Sequence, residues 1–289
     1  MEEDIKSFLD YLAGEKKYSK NTLAAYRNDL NQLADYEKSE GSIAGFDPSE
    51  PRLNAGLMSG YLQSLSGRRY KSSTVARKIA AAKSFLKFMV DSGRLRGDLT
   101  PNLASPQVSK PLPKPLSVSE VRRLLSEPAK HSTIDAKRDK TMLEVLYATG
   151  LRASELMALN ARDVDLRKNT VRCLGAGSKS RVIPIDPPVA RLVKEYIGVV
   201  RPDLLSNEKE VALFLNRCGE RLTRQGFWQI VHGYADKVGL SGKVTPRSLR
   251  HSFAAHKLKG GADLESVQEL LGHAHISTTR AYTQVEVRS

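Results

Sequence analysis

Arg250 stands in the run Arg247-Ser-Leu-Arg250-His251; His273 follows in Leu271-Gly272-His273, and Tyr282 comes nine residues after that histidine. A further arginine, Arg152, lies far upstream in Ala148-Thr-Gly-Leu-Arg152-Ala-Ser-Glu155-Leu156. Each has an ordinary explanation when taken singly. Arg152 fits a surface turn, Arg247 and Arg250 fit salt bridges one helical turn apart, His273 fits a structural role, and Tyr282 is one of ten tyrosines. Taken together they are the groups needed to break a phosphodiester without a metal. Guanidinium forks neutralise the non-bridging oxygens through charge-assisted hydrogen bonds, and a phenol attacks phosphorus to hold the nucleic-acid end covalently.

Such groups have to be held by a folded frame. Pro106-Gln-Val-Ser-Lys110-Pro-Leu-Pro-Lys-Pro115 carries four prolines and reads as an extended connector, because proline lacks the N–H that helix and central strand require. Residues 1–105 before it form one expected domain, 106–116 the linker, and 117–289 a second domain. The first reads as all-helical. Ile5, Phe8, Leu9 and Leu12 keep helical spacing, a second helix is expected from near Lys20 to Tyr36, and a third over about Leu53–Leu65. The fourth is capped at Ser72 or Ser73, with Val75, Ile79, Ala82, Leu86 and Met89 as its buried stripe.

The second domain reads as mainly helical with one small antiparallel sheet. Ser117-Val-Ser-Glu120 is a capping box opening a helix to Leu125, and a helix over about Asp135–Thr149 stops at Gly150. Arg152 then falls at the start of the next helix, where the N-terminus favours an anion. Thr170–Leu174 and Arg181–Ile185 are expected to pair as a hairpin around Gly175-Ala-Gly-Ser178, with Ala212–Leu215 as a third strand. Further helices are expected at Val189–Val199, Arg224–Val238, Pro246–Leu258 and Leu264–Leu271, and a short one carrying Tyr282. The fold class is mainly α.

Forty-six Lys and Arg against 32 Asp and Glu give a net charge of +14 over 289 residues, a balance that fits a polyanionic partner. The excess concentrates on the fourth helix and its flanks: Arg68, Arg69, Lys71, Arg77, Lys78, Lys83, Lys87, Arg94 and Arg96 face a single acid, Asp91. The bland reading is a solvated face; the sign imbalance favours contact with a DNA backbone. Arg68, Arg69, Lys71, Arg77, Lys78 and Lys83 are the expected contacts there, joined by Lys20 and, in the hairpin, Lys179. Cys173 and Cys218 have neither metal-ligand nor disulfide spacing and read as packing residues in a reducing cytoplasm. The Met-Glu-Glu-Asp start is no signal peptide, and no apolar run is long enough to span a bilayer.

Thr149-Gly-Leu-Arg-Ala-Ser-Glu-Leu156, Leu249-Arg-His-Ser-Phe-Ala-Ala-His256, Leu270-Leu-Gly-His273 and Tyr282 resemble the motifs of the tyrosine recombinase/integrase family. With Lys17-Tyr-Ser-Lys-Asn-Thr-Leu-Ala-Ala-Tyr26 near the start, the likeness covers nearly the whole chain, and its size and layout resemble the Xer type. The resemblance implies an N-terminal domain that clamps DNA, a C-terminal catalytic domain, and no metal or other cofactor. It implies four protomers, alike or of two related kinds, on double-stranded two-armed sites, exchanging strands through a Holliday junction. On this chain Tyr282 would attack to leave a 3′-phosphotyrosine and a 5′-hydroxyl. Arg152, Arg250 and His273 would stabilise the phosphoryl oxygens, and Glu155 would hold the site in shape. The expected place of action is the cytoplasm, at the nucleoid.

Two positions depart from the family pattern. Ala176, in Gly175-Ala176-Gly177, stands where the family has the lysine that protonates the leaving 5′-oxygen, a loss expected to slow cleavage by roughly 10²–10⁴-fold. Lys179, three residues on, would substitute if the hairpin bends. Arg247 stands where the family has histidine; it keeps hydrogen bonding and charge for the phosphate but cannot act as a base. Only Thr283–Ser289 follow the tyrosine, so the tail contact made between protomers in the family is expected to be small. The main expectation is thus a site-specific recombinase impaired in cleavage. The rivals are a non-catalytic DNA-binding accessory on the same fold and, disfavoured by the N-terminal layout, a type IB topoisomerase.

Overall fold

The computed structural model describes residues 1–40, 53–108, 113–175 and 180–285. It divides into two compact units, Met1–Lys110 and Pro111–Ser289.

Among its described residues, the first unit has four α-helices: α1 (Glu2–Gly14), α2 (Lys20–Glu40), α3 (Ala55–Gly67) and α4 (Ser72–Asp91). The 3–4 spacing of Ile5, Phe8, Leu9 and Leu12 places all four on one buried face of α1. Phe8 meets Phe85 of α4 edge to face, with ring centroids 5.6 Å apart. Leu30 and Leu33 of α2 and Met58 and Leu65 of α3 complete the core. Asn54 caps α3 by accepting from the Leu57 N–H at 2.8 Å. Two expectations for α4 are corrected. Its N-cap is Lys71, without a side-chain cap, because the helix already begins at Ser72. Lys78, expected on the DNA-facing surface, is only 3 % exposed: its Nζ donates to Asp29 Oδ1 at 2.9 Å and lies over the Tyr70 ring. Arg77 binds the other oxygen of the same buried carboxylate. Lys78, buried as well as paired, is withdrawn from any phosphate, whereas the Arg77 side chain remains exposed.

The second unit runs α5 (Val118–Ser126), α6 (Ile134–Thr149), α7 (Ala153–Ala158), β1 (Val164–Asp165), β2 (Thr170–Leu174), β3 (Ser180–Pro184), α8 (Pro187–Glu195), α9 (Arg201–Leu204), α10 (Arg224–Lys237), α11 (Pro246–Lys259), α12 (Leu264–Leu271) and α13 (Ile276–Arg280). The capping box at Ser117 and Glu120 forms as the sequence predicts. Gly150 ends α6 at φ 61°, and a Cβ there would lie 2.3 Å from Phe253 Cδ1 of α11, so both backbone and packing require glycine. A π-helical turn, Tyr196–Val200, joins α8 to α9.

The sheet is antiparallel in the order β1-β2-β3, with Val171 opposite Ile183 and Cys173 opposite Arg181. Its third strand is β1 rather than Ala212–Leu215, which makes only isolated bridges, Asn160 to Ala212 and Leu215 to Arg221. That run is apolar because it is buried, not because it lies in a ladder. Cys173 packs into the core while Cys218 is exposed, against the expectation that both pack. Ala176 and Lys179 lie outside the described residues.

Candidate active site

Three guanidinium groups meet at the C-terminal end of α12. The last carbonyls of a helix have no partner within it and carry the negative end of its dipole. Here Arg181 Nε donates to Leu270 O at 2.8 Å, Arg250 Nη2 to Leu271 O at 2.7 Å, and Arg152 Nη2 reaches Gly272 O at 3.4 Å. Gly272 turns the chain away at φ 63°, and a Cβ there would come within 2.9 Å of Arg181 Nη1.

Glu155 ties the same arginines together from the other side. Arg152 is the N-cap of α7; its N–H donates to Glu155 Oε2 at 2.7 Å and its Nη1 to Oε1 at 2.8 Å. Arg181, from β3, adds two further bonds at 3.0 and 2.9 Å, and Arg250 Nη1 lies 3.7 Å away. Burial alone would raise the Glu155 carboxyl, but the Arg181 hydrogen bonds, the Arg152 N–H and the surrounding charge bring it down to about 2. The acid is therefore ionised throughout the physiological range.

Arg250 is 6 % exposed and also donates from Nη1 to Gly150 O at 2.7 Å. Burial first, then Arg152, lowers its pKa to about 10, which leaves it a cation at neutral pH. His273 follows Gly272 and places Nε2 3.1 Å from Arg250 Nη2, with Nδ1 2.9 Å from Thr279 Oγ1 of α13. Burial and the arginines beside it hold its pKa near 4, so it is neutral. Tyr282 sits in the turn just after α13 rather than within a helix, because α13 ends at Arg280. It is 5 % exposed, its ring stacks on His273 with centroids 6.4 Å apart, and burial raises its pKa while Arg250, Arg247 and Arg152 oppose that rise.

A cleft of about 870 Å³ opens over these groups, lined by Arg152, Arg247, Arg250, His251, His273 and Tyr282, with the half-exposed Trp228 of α10 on its wall. Residues separated by some 130 positions in the chain thus converge on one concave surface whose charged side chains are all basic. Grouped guanidinium cations attract an anion, and a phenol held beside them is chemically a nucleophile or a hydrogen-bond donor. Among the described residues, no group of three or more His, Cys, Asp and Glu side chains is placed to hold a metal ion, and no helix is long and apolar enough to cross a membrane.

Sequence reasoning missed two participants. In the sequence Arg181 is simply the first residue of a strand, although an arginine opposite buried Cys173 in a hairpin is a sign of an inward ion pair. His251 has no role in the sequence pattern beyond its place in the motif; its Nδ1 lies 2.6 Å from Tyr282 Oη. The residues expected to contact DNA belong to the first unit, apart from Lys179. Lys20, Arg68, Arg69, Lys71 and Arg77 are exposed there, and Lys83 is half-buried.

Residues 114–288 match the Phage integrase family, and residues 5–93 match the Phage integrase N-terminal SAM-like domain. The chain belongs to the phage integrase family of tyrosine recombinases. The activity that goes with this membership is site-specific DNA recombination. Among curated tyrosine recombinases, XerC of Roseiflexus castenholzii is 46% identical over 291 residues, covering 100% of this chain and 91% of that protein. XerD of Oceanobacillus iheyensis is 40% identical over 286 residues, covering 99% and 94%. The fold is shared with a crystal structure of XerH site-specific recombinase bound to palindromic difH substrate, a post-cleavage complex, at a TM-score of 0.75 and 22% identity over 97% of this chain and 91% of that one.

Proposed function

We propose that this tyrosine recombinase cuts and rejoins double-stranded DNA through a covalent intermediate on Tyr282. The phenol oxygen forms a bond to phosphorus, the bond from phosphorus to the 5′-oxygen breaks, and a 3′-phosphotyrosine and a 5′-hydroxyl result. Rejoining runs the same steps backwards without ATP, since the ester bond is conserved. Arg152 and Arg250 neutralise the charge that builds on the phosphoryl oxygens, His273 steadies Arg250 by accepting from its Nη2, and Glu155 keeps the arginines in place. The observation that carries this reading is the convergence of Tyr282, His273, Arg250 and Arg152 on one cleft. Holding DNA alone does not call for a phenol among those groups.

In this reading residues 1–105 clamp the duplex, with Lys20, Arg68, Arg69, Lys71, Arg77 and Lys83 toward the backbone, and 106–116 connect them to the catalytic domain. Four protomers, alike or with a related recombinase, assemble on paired two-armed sites at the nucleoid and exchange strands through a Holliday junction. Ala176 supplies no proton to the departing 5′-oxygen, so cleavage by this form is slow. That same alanine is the one observation favouring a non-catalytic accessory role.

The test is to challenge the chain, its Ala176→Lys form and its Tyr282→Phe form with nicked suicide duplexes of randomised sequence, then isolate adducts that survive denaturant. Adducts from the lysine form and none from Tyr282→Phe establish the recombinase and expose its site. Tight DNA binding with no adduct from any form favours the accessory.

A further inference from the structure

The His251 ring is gripped at both nitrogens. Nδ1 lies 2.6 Å from Tyr282 Oη, and on the opposite edge Nε2 lies 3.1 Å from Arg247 Nε. Arg247 and His251 are four residues apart on α11, so their side chains meet on one helical face. An arginine Nε–H can only donate. Nε2 of His251 must therefore present its lone pair to Arg247, and in a neutral ring the single proton then resides on Nδ1, pointing at the phenol oxygen. The ring is neutral: burial first, then Arg247 and Arg250, lowers its pKa to about 4.

We propose, resting on the recombinase reading above, that His251 activates Tyr282 by donating a hydrogen bond to its oxygen, in the tautomer that Arg247 imposes. It is a partner of the tyrosinate and not a base for the tyrosine. The charges facing this pair are those of Arg247 and Arg250 on α11 and Arg152 at the head of α7, with neutral His273 stacked on the phenol. No carboxylate lines the cleft among the described residues. Such surroundings oppose an imidazolium, as proton abstraction would require, and favour a phenolate.

The step balances as follows. The phenolic proton passes to water in the cleft, and the tyrosinate, held by Nδ1–H, bonds to phosphorus. The bond to the 5′-oxygen breaks, and that oxygen takes its proton from solvent. In the rejoining direction the tyrosinate is the leaving group, and the same donor stabilises it.

The experiment uses the full chain and a pool of duplexes with a 5′-bridging phosphorothiolate at the scissile position. A thiolate leaves without protonation, so Ala176 does not limit the rate. His251→Asn keeps an N–H near the Nδ1 position but offers no basic nitrogen, whereas His251→Ala removes both. Single-turnover adduct formation is expected to fall by roughly 10–100-fold in His251→Ala and by less than about 5-fold in His251→Asn, with DNA retention in gel shifts unchanged. The rise of rate with pH is expected to move upward by about one unit in His251→Ala and to return in His251→Asn. Equal losses in the two variants, or an unmoved profile, overturn the proposal in favour of a base or a packing role. Ring ¹⁵N NMR of the DNA-free protein reads the tautomer independently: a protonated Nδ1 supports the proposal and a protonated Nε2 sinks it. Failure of the recombinase reading looks different, because the parent chain then forms no adduct even on the phosphorothiolate.

Discussion

Arg250 and His273 are joined by a hydrogen bond whose direction is fixed: Nη2 lies 3.1 Å from Nε2, and the arginine can only be the donor. The remaining ring proton is therefore on Nδ1, directed to Thr279 Oγ1 at 2.9 Å. Thr279 is fully buried, so this contact is the second anchor of the histidine. Thr279→Val keeps the shape and strands the Nδ1–H. Thermal denaturation is expected to show a loss of roughly 1–3 kcal/mol, and adduct formation by the Ala176→Lys background is expected to drop further than DNA binding does.

Glu155 makes the site's stability depend on acid. Its folded pKa of about 2 lies below the ordinary 4.5, so the carboxylate stabilises the fold fully above pH 4.5 and loses that contribution as the pH falls toward 2. The gap corresponds to roughly 3 kcal/mol. Glu155→Gln leaves Arg152, Arg181 and Arg250 without their common counter-charge. Urea denaturation followed from pH 7 to pH 2 is expected to show a less stable variant at neutral pH whose curve is flatter between pH 4.5 and 2. A variant as acid-sensitive as the parent would place the linkage elsewhere.

At Gly150 the αL backbone and the approach of Phe253 act together. Gly150→Ala is expected to destabilise the chain by about 2–4 kcal/mol, part from the left-handed φ and part from overpacking. Phe253→Leu in the same chain should recover some of the packing component and none of the backbone component, a distinction that paired denaturation midpoints can make.

The basic residues around α4 divide by depth. Lys78→Met uncovers Asp29, which Arg77 then compensates alone, and is expected to cost roughly 2–4 kcal/mol in stability while leaving the salt dependence of DNA binding as it was. Arg69→Ala is expected to do the reverse: little change in Tm, with the slope of log affinity against log salt reduced by about one. Binding titrations at several salt concentrations, set beside melting curves, separate the two.

That division also marks what could be read in the chain before folding. Basic neighbours in sequence suggest a surface position for Lys78, yet it falls at the spacing of Ala82, Phe85 and Met89, which is the buried stripe. The clue was helical phase; the missing information was Asp29, 49 residues earlier. Gly150, Ser117 and Arg152 were legible because caps and turns are written in four or five consecutive residues. The third strand was not, since Val164–Asp165 is too short to show a period and Ala212–Leu215 is apolar for burial alone. The convergence of Arg152, Arg250, His273 and Tyr282 came through a family pattern. The pairings Arg181 to Glu155 and His251 to Tyr282 join residues 26 and 31 positions apart, and only the fold brings them together.

The end of α12 gives one more consequence. Three arginines drawn from β3, α11 and the head of α7 rest on three successive carbonyls, so each guanidinium has surrendered its rotamer freedom before any DNA arrives. Little ordering remains to oppose the capture of a phosphate. Because Glu155 grips the same three cations from the opposite side, the end of α12 and the head of α7 share one charge cluster, and a displacement of either would be felt by all three arginines.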